Sequence, residues 1–183
     1  MEAQREKELI QQVLQGNTKA FTPLVDAHKN QVFNLVVRMV QQRTLAEELS
    51  QDVFVKAYQQ LTQFKHKARF STWLFRIAYN TAVSALRKRQ VNTQTINEAH
   101  THIEDENREE KKTLLLLLQK AMEQLPAEEA ALITLCYNEG KSIEEIAQIT
   151  GLSRANIKVK LHRIRVKLKT IVENNKDYDE YKN

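Results

Sequence analysis

The segment Lys141–Thr170, KSIEEIAQITGLSRANIKVKLHRIRVKLKT, constrains the fold more than any other part of the chain. Ser142 is followed three residues later by Glu145, which is the spacing of a capping box at the start of a helix. Gly151 tolerates a positive φ, so this helix can end there in a sharp turn. Ser153 is placed to cap a second helix. The segment therefore predicts two helices joined by a tight turn.

The second of these helices combines one apolar stripe with an otherwise basic surface. The stripe consists of aliphatic side chains at helical spacing: Ile157, Leu161, Ile164 and Leu168. No Asp or Glu occurs between Arg154 and Thr170. This pattern predicts a helix-turn-helix whose second helix enters the major groove of duplex DNA. The alternative is an ordinary helical hairpin in which the basic helix is merely solvated.

The rest of the chain is also predicted to be helical. Only 3 Gly and 2 Pro occur among 183 residues, and helix-favouring residues dominate the sequence. We expect an all-α fold of two small helical domains joined by a flexible linker, with the helix-turn-helix at the C-terminal end. The expected boundaries are a first domain over 1–90, a linker over 91–112, a second domain over 113–173 and a polar tail over 174–183. A linker of about 20 residues spans up to roughly 60 Å when extended.

Four helix starts are predicted in the first domain. A short amphipathic helix covers Glu6–Leu14, and a longer one follows over about 18–41. Pro23 is compatible only with a first turn, so this second helix either begins near residue 22 or bends there. Thr44 has Glu47 three residues later and is expected to cap the third helix. Ser71 or Thr72 is expected to cap the fourth.

Composition excludes several classes of protein. The single cysteine, Cys136, cannot form an internal disulfide and lies in an apolar stretch, so we expect an inert buried thiol. The N-terminus is charged throughout, and no apolar run is long enough to span a bilayer, which predicts a cytoplasmic protein without membrane insertion. His100 and His102 lack partners for a metal site, and no cofactor is expected. The net charge of +5 suits a polyanionic partner.

Two further segments point to binding. In the third helix, an acidic face carries the aromatic Phe54, which suggests a protein partner, although a solvated acidic face is the ordinary interpretation. In the fourth helix, Trp73, Arg76 and Asn80 share a face. An aromatic platform with amide and cationic neighbours suits unstacked bases and phosphates. The alternative is that Trp73 belongs to the core.

Three stretches, taken in this order, resemble a bacterial RNA polymerase sigma factor of the extracytoplasmic-function (ECF) type. They are AEELSQDVFVKAYQQL, FKHKARFSTWLFRIAYNTAVSALRKR and LPAEEAALITLCYNEGKSIEEIAQITGLSRANIKVKLHRIRVKL. They lie between residues 46 and 168. The resemblance implies a factor that is not an enzyme. It binds core polymerase and directs promoter-specific initiation by recognising the −35 and −10 elements and stabilising melted DNA.

The resemblance also assigns residues to three interfaces. Docking on core RNA polymerase, through its β′ and β subunits, is implied for Glu47, Glu48, Leu49, Gln51, Asp52 and Phe54. Recognition and opening of the −10 element, as duplex and then single-stranded promoter DNA, is implied for Lys65, His66, Lys67, Arg69, Trp73, Arg76 and Asn80. Recognition of the −35 element is implied for Arg154, Asn156, Lys158, Val159, Lys160, His162, Arg163 and Arg165. The resemblance further implies control by an anti-sigma protein.

Two other functions are compatible with parts of the sequence. A transcriptional regulator with a helical sensor domain would bind duplex DNA without polymerase, and the Trp73 segment would then be core. A site-specific recombinase needs a Ser or Tyr nucleophile within an Arg cluster. Tyr58, Tyr79 and Tyr137 lie in helical patterns without such a cluster.

Overall fold

The computed structural model describes residues 3–92 and 109–180 of the chain, and these residues form helices and turns. The predicted all-α class is confirmed. The α-helices, in chain order, are α1 (Ala3–Leu14), α2 (Thr22–Val40), α3 (Arg43–Gln59), α4 (Phe70–Asn92), α5 (Glu109–Glu123), α6 (Ala127–Ile133), α7 (Ile143–Thr150) and α8 (Arg154–Glu180). Short 3₁₀ turns occupy Thr18–Phe21 and Leu61–Gln63, and a π-helical turn occupies Thr134–Asn138.

Helices α2, α3 and α4 pack against one another and form the centre of the first region, with α1 laid across α2. Leu24, Leu35 and Val53 are fully buried at their contacts, and so is Leu74 of α4. Burying aliphatic side chains of this size stabilises the region by about 1.5–3 kcal/mol each. The three-helix core holds the outer faces of α3 and α4 in fixed positions.

The sequence left open whether α2 begins near residue 22 or bends at Pro23, and the structure decides between them. Residues Thr18–Phe21 form a separate 3₁₀ turn, and α2 begins at Thr22 with the proline in its first turn. The missing N–H of proline costs nothing there, because the first N–H groups of a helix have no partner within it. The helix therefore starts near residue 22 and does not bend at the proline.

Two predicted helix caps are wrong. Helix α3 begins one residue before Thr44, with Gln42 at the N-cap position and no side-chain cap hydrogen bond. Helix α4 begins at Phe70, so Ser71 and Thr72 lie within its first turn. The first residue of α4, Phe70, is buried in the core, whereas the first residue of α3, Arg43, is exposed and pairs with Glu47. The hydroxyl groups near the start of α4 are bonded to the other half of the chain instead.

The second region contains α5–α8 around a core of Leu132, Leu135, Ile146 and Ile157, each at most 1% exposed. Pro126 stands at the N-cap position of α6, immediately before the helix and not inside its first turn. The π-helical turn then leads to Gly140, whose φ of +58° allows the chain to reverse.

The two regions pack against each other, chiefly through α4 against α7 and α2 against α6, and they share one continuous apolar core. The predicted linker over 91–112 lies largely outside the described residues, which resume at Glu109 in α5. At the C-terminal end, the predicted polar tail over 174–183 begins inside α8, which remains helical to Glu180. After Gly151 the chain contains no Gly or Pro that would end this helix.

Candidate polymerase and promoter interfaces

The helix-turn-helix is built by local hydrogen bonds at its two predicted ends. The Ser142 hydroxyl accepts a bond from the Glu145 backbone N–H at 3.2 Å. The Glu145 carboxylate accepts one from the Ser142 backbone N–H at 3.0 Å, which completes the capping box. At the other end, Gly151 has a φ of +76° and its N–H donates to the Ala147 carbonyl at 2.9 Å. The predicted cap and turn are confirmed.

Helix α8 presents the predicted apolar stripe to the core. The hydroxyl of Ser153 accepts the Asn156 N–H at 3.3 Å and caps the start of this helix. Ile157, Leu161 and Ile164 are at most 5% exposed and pack in the shared core. Because the stripe is anchored along its length, the opposite side of the helix is held outward as a rigid surface.

That outward surface contains the residues predicted to contact the −35 element. Lys160 is half-buried, and the other members are exposed: Arg154, Asn156, Lys158, Val159, His162, Arg163 and Arg165. Arg154 forms an ion pair with Glu144 of α7 at 3.5 Å. Within the described residues, no acidic side chain lies in ion-pair distance of Lys158 or Arg163. These two cations are positioned to meet an external anion.

A second surface lies on α3. Glu47, Glu48, Gln51 and Asp52 are exposed, and Glu47 pairs with Arg43 at 3.0 Å. The remaining two predicted members are less accessible. Leu49 lies in the core and is 6% exposed. Phe54 is half-buried against the core, where the sequence predicted an exposed ring. The surface is therefore an acidic patch edged by part of one aromatic side chain.

A third surface combines the loop before α4 with the exposed side of that helix. Lys65, His66, Lys67 and Arg69 are exposed in the loop, and His66 has a φ of +54°. On α4, Arg76 and Asn80 are exposed one turn apart. The loop and the helix that follows it therefore both expose cations, and α4 adds an amide.

The sequence allowed Trp73 to be either an exposed ring for base stacking or a core residue, and the structure places it between these two. Its ring centroid lies 5.2 Å from that of Phe64 and 5.6 Å from that of Phe70, within an aromatic cluster at the start of α4. The side chain is nevertheless only half-buried. Its neighbour Phe75 is core, at 2% exposed. The indole thus packs on one face and leaves part of its surface accessible.

Sequence patterns did not reveal a group of polar contacts between the two regions. The Lys141 ammonium donates to the Ser71 hydroxyl at 2.8 Å, and the Thr72 hydroxyl donates to the Glu145 carboxylate at 3.0 Å. These partners are separated by 70 and 73 residues along the chain. No short-range pattern carries that information, because each residue alone is an ordinary helix-end polar residue.

Comparison with known protein families assigns the chain to a family. The family model for sigma-70 region 2 matches residues 24–91, and that for sigma-70 region 4 matches residues 115–168. The ECF RNA polymerase sigma-E factor of Haemophilus influenzae is 32% identical over 170 residues, which cover 86% of this chain and 89% of that protein. The chain belongs to the ECF sigma factors. The resemblance seen in the sequence is thereby confirmed.

Other relatives of this sigma factor agree. SigW, an ECF sigma factor of Bacillus subtilis, is 29% identical over 176 residues, covering 89% of this chain and 94% of SigW. Among solved structures, the sigma factor RpoE of Bartonella quintana, in complex with the anti-sigma factor NepR, superposes with a TM-score of 0.69. That match has 24% identity and covers 85% of this sigma factor and 98% of RpoE. The match to RpoE supports the all-α fold of this sigma factor.

Two further absences concern the described part of this sigma factor. Across residues 3–92 and 109–180, no helix combines the length and apolar character needed to cross a membrane. Over the same ranges, no three His, Cys, Asp or Glu side chains are grouped so that they could hold a metal ion.

Proposed function

We propose that this protein binds core RNA polymerase and directs it to promoters, through three surfaces that lie on α3, α4 and α8. The observation that carries the proposal is the separation of charge in one ECF sigma chain. An acidic patch on α3, a mixed basic and aromatic face at α4 and a basic recognition helix at α8 are each exposed. The protein acts by binding, and the polymerase supplies the catalysis.

The α3 patch is proposed to dock on the β′ subunit, with β as the second contact of the assembly. Glu48, Gln51 and Asp52 project from a helix whose opposite side is anchored by Val53 and Leu49 in the core. Carboxylates on a rigid helix can pair with cations of a partner and steer its association. Leu49 contributes by holding the helix in place, and Phe54 by the exposed part of its ring.

This docking is tested by Asp52→Ala, with Asp26→Ala as the matched control. Both carboxylates are exposed, and Asp26 lies on α2, where it pairs with Lys29. The Asp52 variant should bind core polymerase more weakly, while duplex DNA binding stays unchanged. Equal affinity of the two variants for core polymerase would place the docking surface elsewhere.

The α4 surface is proposed to hold the melted −10 strand. The exposed loop residues Lys65, Lys67 and Arg69 are proposed to contact phosphates of the strand. Arg76 and Asn80 project from α4, which follows the loop. The accessible part of Trp73 can stack with an extruded base, and such stacking stabilises a bound base by about 1–3 kcal/mol. Preferential binding of the open strand shifts promoter DNA toward melting.

The α4 role is tested by Asn80→Ala, with Ser84→Ala as a control one turn further along the exposed side of the helix. Permanganate footprinting of open complexes reports melting, and an electrophoretic mobility assay at low temperature reports closed-complex binding. We expect Asn80→Ala to reduce melting more than closed-complex binding. A loss confined to duplex binding would favour an ordinary regulator.

The α8 surface is proposed to recognise the −35 element in the major groove. Lys158, His162 and Arg163 project from the same exposed side of the helix, where cations match the paired acceptors of guanine. Arg154, Lys160 and Arg165 are assigned to phosphates, which fix the position of the helix without specifying sequence. Affinity should therefore fall as salt concentration rises.

The whole proposal is tested by promoter-specific initiation with purified core polymerase. Genomic fragments are transcribed with core enzyme alone and with core enzyme plus this protein, and new start sites are mapped. We expect start sites preceded by a shared pair of −35 and −10 elements. If the protein neither binds core enzyme nor creates start sites, the proposed function is wrong.

Control by an anti-sigma protein and action in the cytoplasm belong to the same proposal. RpoE of Bartonella quintana was solved in complex with the anti-sigma factor NepR, and CnrH was solved in complex with the cytosolic domain of CnrY. CnrH superposes with a TM-score of 0.65 at 24% identity, covering 94% of this chain and 99% of CnrH. We assign the polymerase and −10 functions to residues 1–90, a linking role to 91–112 and the −35 function to 113–173.

A further inference from the structure

A buried histidine joins the first two helices of the chain. His28 lies on α2 and is 8% exposed, and its Nε2 atom is 3.3 Å from a carboxylate oxygen of Glu6 on α1. The Glu6 side chain is itself only 17% exposed. Ion pairs at the surface contribute little to stability, because water screens them, but this contact is largely enclosed. Its strength therefore depends on the protonation of the ring.

The second ring nitrogen of His28 faces another oxygen. Its Nδ1 atom lies 3.3 Å from Oε1 of Gln31, one turn further along α2. The Gln31 side chain also forms a hydrogen bond with the carboxylate of Glu139, and an ionised carboxylate can only accept. The amide nitrogen of Gln31 is therefore directed at Glu139. This leaves the amide oxygen as the atom that faces His28.

Both nitrogens of His28 thus face hydrogen-bond acceptors. A neutral imidazole carries one N–H, so one of the two contacts would set a nitrogen lone pair against an oxygen. The charged ring donates at both nitrogens and satisfies both contacts. A buried charge is costly unless it is paired, and the Glu6 carboxylate supplies the partner. The bridge formed by Glu6, His28 and Gln31 is therefore complete only when the ring is charged.

The same histidine contacts the segment assigned above to the −10 element. Its ring centroid lies 5.6 Å from that of Phe70, the first residue of α4. The Phe70 ring lies in turn 5.7 Å from that of Phe64, at the other end of the loop over 64–69. Helix α1 packs on the 3₁₀ turn Leu61–Gln63, which leads into this loop. The bridge and α1 therefore support both ends of the loop.

Other charged groups surround the bridge. They lie before α7, on α7, before α4 and on α2: Glu139 and Lys141, Glu145, Arg69, and Asp26 with Lys29. The two on α2 are exposed and pair with each other at 2.8 Å. Burial lowers the pKa of Lys141, and Arg69 adds to this, whereas Glu145, Glu139 and Glu6 favour its ammonium form. Lys141 and Glu6 therefore act on each other beside the histidine.

The two neighbouring carboxyls on the C-terminal side differ in their titration. Burial acts to raise the pKa of Glu145, but hydrogen bonds from Ser142 and Thr72 outweigh burial and lower it. Glu145 therefore stays charged near neutral pH. Burial raises the pKa of Glu139, while the charge of Lys141 and the hydrogen bond from Gln31 oppose the rise. A test of the bridge must hold Glu139 constant.

We propose that His28 is a proton-dependent positioning residue, whose charged ring ties α1 to α2 and steadies the loop over 64–69 for the −10 element. This inference rests on the proposed function, because it takes that loop and α4 as the −10 surface. Histidine side chains ordinarily change charge between about pH 5 and 8. The stability that the bridge contributes is present where the ring is charged and is lost as pH rises and the proton leaves. Promoter opening should therefore be favoured on the acidic side of this range.

The test uses Glu6→Gln in the full chain, with Glu8→Gln as the matched control. A glutamine at position 6 carries a donor and an acceptor, so it can hydrogen-bond to Nε2 whether or not that atom holds a proton. Glu8 lies exposed on the same helix, where it accepts a bond from Gln4 at 3.1 Å, and its substitution changes the charge equally. A second variant, His28→Gln, removes the titrating ring and keeps a polar side chain.

Two measurements are made on each protein at pH 6 and pH 8. Hydrogen exchange, corrected for the intrinsic rate at each pH, gives the protection of amides in α1 and at the loop ends, over 6–14, 61–64 and 70–73. Permanganate footprinting with core polymerase gives the fraction of promoter DNA that is open. His66, His162 and Glu139 are present in every form, so a difference between variants isolates the bridge.

For the wild-type protein and Glu8→Gln, we expect protection to be about tenfold higher at pH 6 than at pH 8, the effect of one hydrogen bond to a charged group. The open fraction should be higher at pH 6 as well. For Glu6→Gln and His28→Gln, we expect the same protection at both pH values. Their open fraction should change less with pH than that of Glu8→Gln.

Two outcomes overturn the proposal. Equal pH profiles of protection for Glu6→Gln and Glu8→Gln would show that the charge of Glu6 does not hold α1 in place. If protection follows the expected pattern but all variants open promoter DNA with the same pH dependence, the bridge is structural and does not position the loop. If no form opens promoter DNA at either pH, the proposed function fails, while the exchange data still decide whether the bridge depends on the proton.

Discussion

Replacing Gly151 by Ala isolates the contribution of a single backbone angle to the helix-turn-helix. Gly151 ends α7 with a φ of +76°, and a Cβ atom added there would meet no heavy atom within 4 Å. Steric collision with neighbours is therefore excluded as a source of destabilisation. What remains is the intrinsic cost of the left-handed conformation for a residue with a Cβ, about 1–2 kcal/mol.

Part of that cost is offset in the unfolded chain. Substituting glycine reduces the freedom of the unfolded state and stabilises the native state by about 0.4–1 kcal/mol. The net destabilisation by Gly151→Ala should be about 1 kcal/mol, which for a chain of this length lowers the melting temperature by about 2–4 °C. Asn visits the left-handed region more readily than Ala, so Gly151→Asn should retain most of the stability.

Thermal unfolding followed by circular dichroism at 222 nm compares the wild-type protein with both variants. Initiation assays well below the melting temperature should show little change, because the recognition side chains of α8 are untouched. Equal destabilisation by Ala and Asn would refute the reasoning, since it would mean that the added side chain, and not the backbone angle, is responsible. An unchanged melting temperature for Gly151→Ala would refute it as well.

Three further experiments test other parts of the molecule. Arg163→Ala should cost about 1–3 kcal/mol of affinity at one −35 position if this arginine contacts a base, whereas an equal loss across a library of −35 sequences would make it a phosphate contact. Burial raises the pKa of the Cys136 thiol, with Arg165 opposing, so iodoacetamide at pH 8 should alkylate it more slowly in the native protein than in urea; equal rates would contradict this. The lowered pKa of Glu145 contributes stability that is present above its ordinary value of 4.5 and lost as pH falls through the folded value. In urea titrations over that range, Glu145→Gln should lose less stability on acidification than the wild-type protein, and parallel losses would show that this carboxylate is not responsible.

The features that the sequence predicted correctly depend on neighbours a few residues apart. The capping box pairs Ser142 with Glu145, the turn needs only the positive φ of Gly151, and the buried stripe of α8 follows helical spacing from Ile157. Each of these interactions closes within one or two helical turns. For the same reason Pro23 required α2 either to begin near residue 22 or to bend there, and the structure shows the first.

The sequence was less informative wherever packing competes with local preference. Thr44 and the hydroxyl residues at the start of α4 have good capping chemistry, yet both helices begin earlier. At α4 the extra residue, Phe70, is buried in the core. Phe54 lies outside the apolar stripe of α3, but its side chain is partly buried against the core. How much of an aromatic ring is exposed depends on neighbours from distant segments, which a helical period does not report.

By itself the sequence determined the helical class, the helix-turn-helix with its basic outer side, and the family resemblance, because all three are carried by residue types at short, regular spacing. Only the tertiary structure decided that the two regions share a core and that Lys141 and Glu145 bond to the start of α4. Those partners lie 70 or more residues apart, and a hydrogen bond between them forms only after the helices have packed. The contact of α4 with the second region is thus a property of the assembled fold.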